Sequence, residues 1–364
     1  MNDNAIGLDQ DQKRAIKWYL LAADQEHPIA QNNLGVMYEF GEGVALNHGI
    51  AVKWYRLAAN NDYPVSQFNL GLAYEAGSGV EKDYNEAVKL FRLAADQKYS
   101  LAQNALGVMY EEGKGVTQDY AEALRWYHLA AEGEEALAQI NVGNLYENGF
   151  GVKQDYVEAL RWYRLASDQE SALARTHIGS YYQNGFGVEQ DYTEAQKWYL
   201  LAAKQGNGTA QNNMAGIYEH GLGVKQDYDK ALKWYRLAAE QDLPVAQTNL
   251  GVMYQNGYGV DQDYVEAHKW YLDASQRGYA DAQTNLGVMY EFGFGVTVDH
   301  KQASNWFLKA AEQGSSKAQT NLGSMYQFGN GVVKDISKAL NWYSLAAKQG
   351  NKIAQRNLGL IHHH

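Results

Sequence analysis

Histidines are among the side chains of this sequence that could act as general bases or metal ligands. Seven lie outside the C-terminal triplet: His27, His48, His128, His177, His220, His268 and His300. None has a second ligand at metal-binding spacing, no His-Glu-x-x-His motif is present, and the chain has no cysteine. The sequence therefore predicts no catalytic residue and no metal site, and we expect the histidines at the surface or at helix ends.

Two further motifs could contact a ligand. Gly-x-Gly-Val resembles part of a phosphate-binding loop, but it lacks a third glycine, a preceding strand and any Gly-Lys-Ser/Thr. It occurs nine times, which is not typical of a catalytic loop, and we interpret its glycines as a backbone requirement of a tight loop. Trp-Tyr pairs could stack on a ligand, but at helical spacing they indicate a buried core. No cofactor is predicted.

A fixed period of 36 residues sets the positions of these motifs. The glycine at position 35 returns at Gly71, Gly107 and onward to Gly359, with alanine only at Ala215. All nine tryptophans occupy one column of this repeat. A constant period in this range is the mark of a stacked repeat protein. Because alanine replaces one glycine of that column, we interpret the column as needing a small residue where two helices approach closely.

Each repeat contains two predicted helices and no alternating strand pattern. The first helix begins near Pro28, has an apolar stripe that includes Leu34, and ends at Gly41. The second helix begins at an aspartate with a glutamate three residues later, as in Asp119-Tyr120-Ala121-Glu122, which has the form of a capping box. The sequence predicts an all-α solenoid of about ten helix–loop–helix repeats.

Composition excludes several classes of protein. The formal net charge of −11 disfavours non-specific nucleic-acid binding, and no apolar run is long enough to span a membrane. The absence of cysteine and of an N-terminal signal pattern favours a cytoplasmic protein, although export after removal of a signal peptide stays open.

We expect one domain over residues 1–361 and a tag remnant at 362–364. The chain opens in a loop before a second helix and closes within a first helix. This suggests either excision from a longer array or burial of the ends against another chain.

The combined pattern resembles a known family. Ala-Gln-x-x-Leu-Gly-x-x-Tyr-x-x-Gly-x-Gly-Val, followed by Asp-Tyr-x-x-Ala-x-x-Trp-Tyr-x-x-Ala-Ala, is similar to the Sel1-like repeat, a relative of the tetratricopeptide repeat. The resemblance covers essentially the whole chain. It implies a right-handed α/α superhelix whose concave face is lined by first helices. It also implies an adaptor or scaffold role, often in bacterial signalling, envelope functions or host contact.

Polar and variable columns are where we expect a partner to bind. We define the first-helix face as positions 39 and 40 of the repeat: Glu39, Glu75, Glu111, Glu147, Gln183, Glu219, Gln255, Glu291, Phe40, Asn148, Asn184, Asn256 and Phe292. If first helices line the concave face, these residues form an acidic and amide ladder for a basic or polar peptide. The alternative is a solvated helix surface. Position 32, from Asn32 to Thr320, is expected on the same face, and the Asn33 column is expected to hydrogen-bond between repeats.

A second candidate surface lies in the loops, at the residue between the two glycines. We define the loop strip as Phe150, Phe186, Leu222, Tyr258 and Phe294. Stacked one per repeat, these side chains would form an apolar strip, and such patches often mark interaction sites. The alternative is that each ring fills the gap to the next hairpin.

These patterns predict a non-enzymatic scaffold that binds a protein or peptide segment in its groove. Two other classes stay open. One is a self-associating structural protein joined through its ends or through the loop strip. The other is a carbohydrate or small-ligand binder that uses aromatic platforms.

Overall fold

The computed structural model of the protein describes residues 14–362, and these form 20 helices and no strand. The helices are α1 (residues 14–23), α2 (Pro28–Phe40), α3 (His48–Asn60), α4 (Pro64–Ala76), α5 (Tyr84–Asp96), α6 (Ser100–Glu112), α7 (Tyr120–Glu132), α8 (Ala136–Asn148), α9 (Tyr156–Asp168), α10 (Ala172–Asn184), α11 (Tyr192–Lys204), α12 (Gly208–His220), α13 (Tyr228–Ala239), α14 (Pro244–Asn256), α15 (Tyr264–Gln276), α16 (Ala280–Phe292), α17 (His300–Glu312), α18 (Ser316–Phe328), α19 (Ile336–Lys348) and α20 (Lys352–His362). Even-numbered helices are the first helices of the repeats and odd-numbered helices are the second helices.

The chain divides into two compact units. The first ends at Ala174 and also includes Phe186–Glu189, and the second comprises Arg175–Gly185 and the residues from Gln190 onward. The single domain expected over residues 1–361 stays a prediction. The predicted opening loop and residues 363–364 of the predicted tag lie outside the described residues.

Helices pack in the same order within each unit. In the first unit α2 packs on α3, and α3 packs in turn on α4; the same alternation continues to α9. In the second unit it runs from α11 to α20. Within each of these runs a second helix therefore contacts the first helix of its own repeat and that of the next. The predicted all-α fold of helix–loop–helix repeats is confirmed.

Helix starts follow the sequence signals. Pro28, Pro64 and Pro244 occupy the first turns of α2, α4 and α14, where no backbone N–H is needed. The aspartates cap the second helices: the carboxylate of Asp119 accepts the backbone N–H groups of Ala121 and Glu122 at 3.0 Å. Such a cap contributes about 1 kcal/mol.

The predicted capping box is only half formed. The backbone N–H of Asp119 donates to the carbonyl of Tyr110 at 2.9 Å, so it is not available to the side chain of Glu122. That carboxylate instead pairs with Arg125, three residues along α7, at 2.6 Å.

Glycine has two different roles, as the repeat columns predicted. In the Gly-x-Gly loop both residues are left-handed, with φ of 74° at Gly41 and 71° at Gly43. The second glycine also lies against the preceding repeat, because a Cβ on Gly115 would be 2.4 Å from the carbonyl oxygen of Tyr84. The backbone requirement inferred for this loop is confirmed.

The helical glycines make room for a ring. A Cβ on Gly107 would lie 2.6 Å from the ring of Tyr127, which projects from the second helix of the same repeat. The same contact recurs at Gly35, where the ring is Tyr55. The inference that this column needs a small residue is confirmed, and the reason is the flat aromatic ring between the helices.

The tryptophans are less buried than predicted. Tyr127 is fully buried, and among the tryptophans only Trp126 is buried, whereas Trp18 is 70% exposed. Each tryptophan directly precedes its tyrosine on the second helix. Trp126, for example, belongs to one buried cluster with Phe91 of the preceding hairpin and Leu106 of its own hairpin. No described hairpin precedes Trp18. The tyrosine column, and not the tryptophan column, is the centre of the core.

The contact between the helical glycine and the aromatic ring predicts that a glycine-to-alanine substitution has different effects at two positions of the column. Gly107→Ala should lower the denaturation midpoint, because overpacking costs about 1–3 kcal/mol and outweighs the about 0.5–1 kcal/mol gained from alanine in a helix. No described atom lies within 4 Å of a Cβ at Gly359, so Gly359→Ala should leave the midpoint unchanged or raise it. Urea denaturation followed by circular dichroism measures both. A stabilised Gly107→Ala variant would contradict the assignment.

Candidate functional site

The position-39 side chains of the first-helix face meet the buried tyrosines. A tyrosine hydroxyl of the second helix donates to the carboxylate or amide oxygen of position 39 in the same repeat. The distances are 2.5 Å for Tyr55–Glu39, Tyr127–Glu111 and Tyr163–Glu147, 2.6 Å for Tyr235–Glu219, and 2.9 Å for Tyr271–Gln255 and Tyr343–Gln327. Bonds to carboxylates are shorter than bonds to amides, as expected for charge-assisted hydrogen bonds.

Helix geometry explains why this bond recurs. The tyrosine ring lies on the glycine at position 35, and position 39 is four residues further along, on the same face of the first helix. The para hydroxyl therefore reaches the side chain one turn beyond the glycine. Burial of the ring raises the pKa of the phenol, as at Tyr127 and Tyr235, and the neighbouring carboxylate raises it further.

The polar ladder on the first-helix face is thus partly occupied from within. All eight of its position-39 residues are half-buried. Where a tyrosine bond is present, one oxygen of the side chain is already used. This column is neither a fully solvated surface nor a row of unengaged carboxylates. Its binding role stays a prediction.

Position 40 supplies the exposed part of the first-helix face. Phe40 is 65% exposed and Phe292 is 59% exposed. Asn148, Asn184 and Asn256 are exposed as well, and each donates from Nδ2 to the backbone carbonyl four residues earlier at 2.8–2.9 Å. Their amide oxygens accept no hydrogen bond in these contacts.

Position 32 does not belong to this face, which corrects the expectation. Asn32 and Thr320 are only 6% exposed, and Ile140 is 2% exposed. They lie between neighbouring first helices, where Asn69 donates to Asn32 at 3.1 Å and Asn249 of the second unit makes the equivalent bond to its neighbour. The inter-repeat hydrogen bonds predicted for the asparagine column are confirmed.

A buried glutamine column was missed by sequence reasoning. Gln103 donates to the carbonyl of Ala95 in the preceding repeat at 3.2 Å. Within one hairpin, Gln97 donates to Gln67 at 2.9 Å. The signal was available, because nine of the ten repeats have glutamine at this position and Arg175 is the exception. These bonds link each second helix to both first helices beside it.

The loop-strip rings each stack on the tyrosine that begins the preceding second helix. Ring centroids are 4.9 Å apart for Tyr120–Phe150 and 4.6 Å apart for Tyr228–Tyr258. One side of each ring is therefore used between repeats, yet Phe150 stays 44% exposed. The rings fill a gap and also present an apolar edge, so the binding role of the loop strip stays a prediction.

Three histidines are not at the surface or at a helix end as expected: His128, His177 and His268 are half-buried within helices. His128 and His268 lie within second helices, half-buried, and pack edge-on against Tyr146 and Tyr290 of the next repeat. Burial lowers the pKa of both. Within residues 14–362 no group of three or more His, Cys, Asp or Glu side chains could hold a metal ion. None of the helices described is both long and apolar enough to cross a membrane.

Comparison with known proteins is consistent with this architecture. A model of the Sel1 repeat matches ten successive segments: residues 1–27, 28–63, 64–99, 100–134, 136–171, 172–207, 208–243, 244–279, 280–315 and 316–351. The chain belongs to the Sel1 repeat family. Proteins of this family are generally interaction scaffolds and are generally non-catalytic.

Two solved structures from bacteria are similar to this Sel1 repeat protein. A Sel1 repeat protein from Oxalobacter formigenes is 33% identical with a TM-score of 0.61, and the match covers 85% of this chain and 89% of that one. A protective antigen of uropathogenic Escherichia coli is 35% identical with a TM-score of 0.59, covering 94% of this chain and 82% of that one. No curated protein matches the sequence.

The tyrosine bonds predict a graded loss of stability. Tyr127→Phe removes the donor to the Glu111 carboxylate and should cost about 1.5–3 kcal/mol, because hydrogen bonds to charged groups are the stronger class. Tyr343→Phe removes a donor to the neutral Gln327 and should cost about 0.5–1.5 kcal/mol. Urea midpoints of the two variants test the order. A larger loss for Tyr343→Phe would contradict the role of the charge.

The buried phenols also predict alkaline unfolding. Burial raises the pKa of Tyr199 to about 12, above the value of about 10 in an unfolded chain. The neutral phenol therefore contributes its full stability below pH about 10, and this contribution is lost as pH rises from there through about 12. Near-ultraviolet tyrosinate absorbance and circular dichroism should show the buried tyrosines ionising together with loss of helix. Full tyrosine ionisation near pH 10 with helix intact would be inconsistent with this burial.

Proposed function

We propose that this Sel1 repeat protein is a non-catalytic scaffold that binds a peptide or protein segment along the first-helix face of each unit. The observation that carries the proposal is the regular pairing of an exposed position-40 side chain with a half-buried acceptor at position 39, repeated along successive first helices. Stacked repeats offer such rows as extended binding surfaces.

The chemistry of the face favours a partner rich in hydrogen-bond donors. All eight position-39 residues of the face are Glu or Gln. The tyrosine takes one acceptor site of the side chain, and a carboxylate keeps a second oxygen for a ligand. Basic or polar side chains and backbone N–H groups of a bound segment complement these acceptors. Asn148, Asn184 and Asn256 add amide oxygens at the exposed edge.

The variable residues at position 40 distinguish one part of the face from another. Phenylalanine stands at Phe40 and Phe292, and asparagine stands at Asn148, Asn184 and Asn256. A bound segment would therefore meet apolar contacts at some repeats and polar contacts at others. This variation is how a scaffold of nearly identical repeats can select a sequence.

Photo-crosslinking tests this assignment without disturbing the tyrosine bonds. A photoreactive phenylalanine analogue would replace Asn148, Asn184 or Asn256 on the first-helix face. Val157 and Val265, which are 64% and 55% exposed at the starts of second helices, serve as matched controls. Partner protein from the native cell should crosslink to the three asparagine positions and not to the two valine positions, as read by mass spectrometry.

Other crosslinking patterns have definite meanings. Crosslinks confined to Val157 and Val265, or none at any position, would reject the first-helix face. Crosslinks between two copies of this chain would support a self-associating protein instead. Charge reversal at Glu111, Glu147 or Glu219 is a poorer test, because each of these carboxylates accepts a tyrosine bond and its loss would also alter stability.

A further inference from the structure

Two repeats lack the tyrosine hydroxyl. Phe91 and Phe307 occupy the tyrosine column, and their rings lie on the helical glycines as the tyrosines do. A Cβ on Gly71 would be 2.6 Å from the ring of Phe91, and the corresponding atoms at Gly287 and Phe307 would be closer still, at 2.4 Å. The ring position is thus preserved in both repeats, and only the oxygen that reaches position 39 is missing.

The missing hydroxyl affects the two glutamates at position 39 of these repeats, because neither receives the tyrosine hydrogen bond. Among residues 14–362, no hydrogen-bond donor contacts Glu75 or Glu291, although both side chains are half-buried. A partly desolvated carboxylate without a donor is costly, and a ligand that supplies the donor recovers that cost. Burial raises the pKa of Glu291, in keeping with the missing partner.

The two glutamates differ in their surroundings. Glu75 shares a surface cleft with Lys82 and Lys114. The pKa of Lys114 is raised mainly by its bond to Glu112, and the Glu75 carboxylate adds a smaller contribution. Cations of the chain itself therefore stand near Glu75. For Glu291, burial raises the pKa of the carboxyl, and the charge of His300 lowers it by less. No lysine or arginine acts on the Glu291 carboxyl in this way, whereas Glu75 lies beside two lysines.

Exposed aromatic rings stand next to Glu291 along the chain. Phe292 follows it directly and is 59% exposed. Phe294 stacks on Phe292 at 5.8 Å between centroids and on Tyr264 at 5.1 Å, yet stays 37% exposed. Phe328, 64% exposed, stands at the position of Phe292 one repeat further on. A carboxylate next to exposed rings complements a cation that also has flat or apolar surface.

We propose that Glu291, Phe292 and Phe294 bind an arginine side chain of the partner segment. This inference rests on the proposed scaffold function and names one specific contact within it. Both carboxylate oxygens of Glu291 accept guanidinium N–H groups in a bidentate pair, and the guanidinium plane or its aliphatic stem lies on the phenylalanine rings.

Arginine fits this subsite better than the other candidate ligands. Lysine has no planar fork to use both carboxylate oxygens. A sugar hydroxyl could stack and donate, but it brings no charge to balance the half-buried carboxylate. At Glu39, Glu111, Glu147 and Glu219 one oxygen already accepts a tyrosine bond, so those carboxylates have fewer free lone pairs and less unbalanced charge for a bidentate pair.

The decisive variant changes the core and leaves the surface as it is. Phe307→Tyr places a hydroxyl where the other repeats have one, and this hydroxyl should occupy one oxygen of Glu291 from the inside. Phe91→Tyr makes the same change beneath Glu75 and serves as the matched control. Glu291→Gln removes the charge with a residue that the fold already accepts at Gln255 and Gln327. Circular dichroism of all three variants checks that each is folded.

The probe is a terminally blocked peptide with one arginine between leucines, compared with the same peptide containing citrulline. Calorimetric titration of the unaltered chain should show about tenfold or tighter binding of the arginine peptide, since hydrogen bonds to a charged group supply about 1.5–3 kcal/mol. Phe307→Tyr and Glu291→Gln should remove most of this preference, and Phe91→Tyr should retain it.

Several outcomes would overturn the inference. These are equal affinity for the two peptides, no measurable binding of the arginine peptide at millimolar concentration, and an arginine preference that persists in both Phe307→Tyr and Glu291→Gln. Binding of maltotriose that is lost in Phe292→Ala, without any arginine preference, would assign the rings to a carbohydrate. The crosslinking pattern separates the two proposals, because a missing arginine preference with intact crosslinks at Asn184 and Asn256 rejects the subsite alone.

Discussion

The fold depends on one contact, an aromatic ring of the second helix lying on a small residue of the first helix, which is glycine in every repeat but that of Ala215. The ring is fully buried, and there is no room for a Cβ beneath it, as the distances at Gly107 and Tyr127 show. Because the ring fills the space between the two helices, it sets their separation and their register. The caps, the Gly-x-Gly loops and the glutamine bonds then hold each hairpin against its neighbours. A 36-residue unit can be copied many times because all of these contacts are local.

The same ring connects the core to the surface of the first helix. Its para position reaches the residue one turn beyond the glycine, so a single hydroxyl decides whether position 39 is satisfied from inside the protein. With tyrosine, as at Tyr163 and Glu147, the carboxylate is partly used. With phenylalanine, as at Phe307 and Glu291, it is left for solvent or for a ligand. Core identity and surface chemistry are therefore coupled at each repeat, although the residues concerned are 16 positions apart.

Much of the fold was predictable because the columns of one chain act as repeated observations of one structure. The single alanine at Ala215 distinguished the helical glycines from the loop glycines, and the prolines and aspartates marked the helix starts. The site was less predictable. Helical periodicity separates buried from exposed positions, but it does not say which neighbour a face meets. Position 32 was therefore expected on the first-helix face although it packs between repeats. The buried partner of Glu111 was not evident because Tyr127 lies in the other helix.

This coupling gives a repeat protein a way to vary its surface without altering its packing. Exchanging tyrosine and phenylalanine keeps the ring on the glycine, so the hairpin geometry is preserved, as the equivalent contacts at Tyr271 and Phe307 show. Only the position-39 side chain is affected, because it gains or loses the hydrogen bond from the hydroxyl. Substitutions on an exposed helix face change charge or shape directly, whereas this exchange changes how much of an existing carboxylate a partner can use. Since the hydroxyl lies at the boundary between core and surface, selection on binding can act on a buried residue while the contacts that hold the hairpin together stay the same.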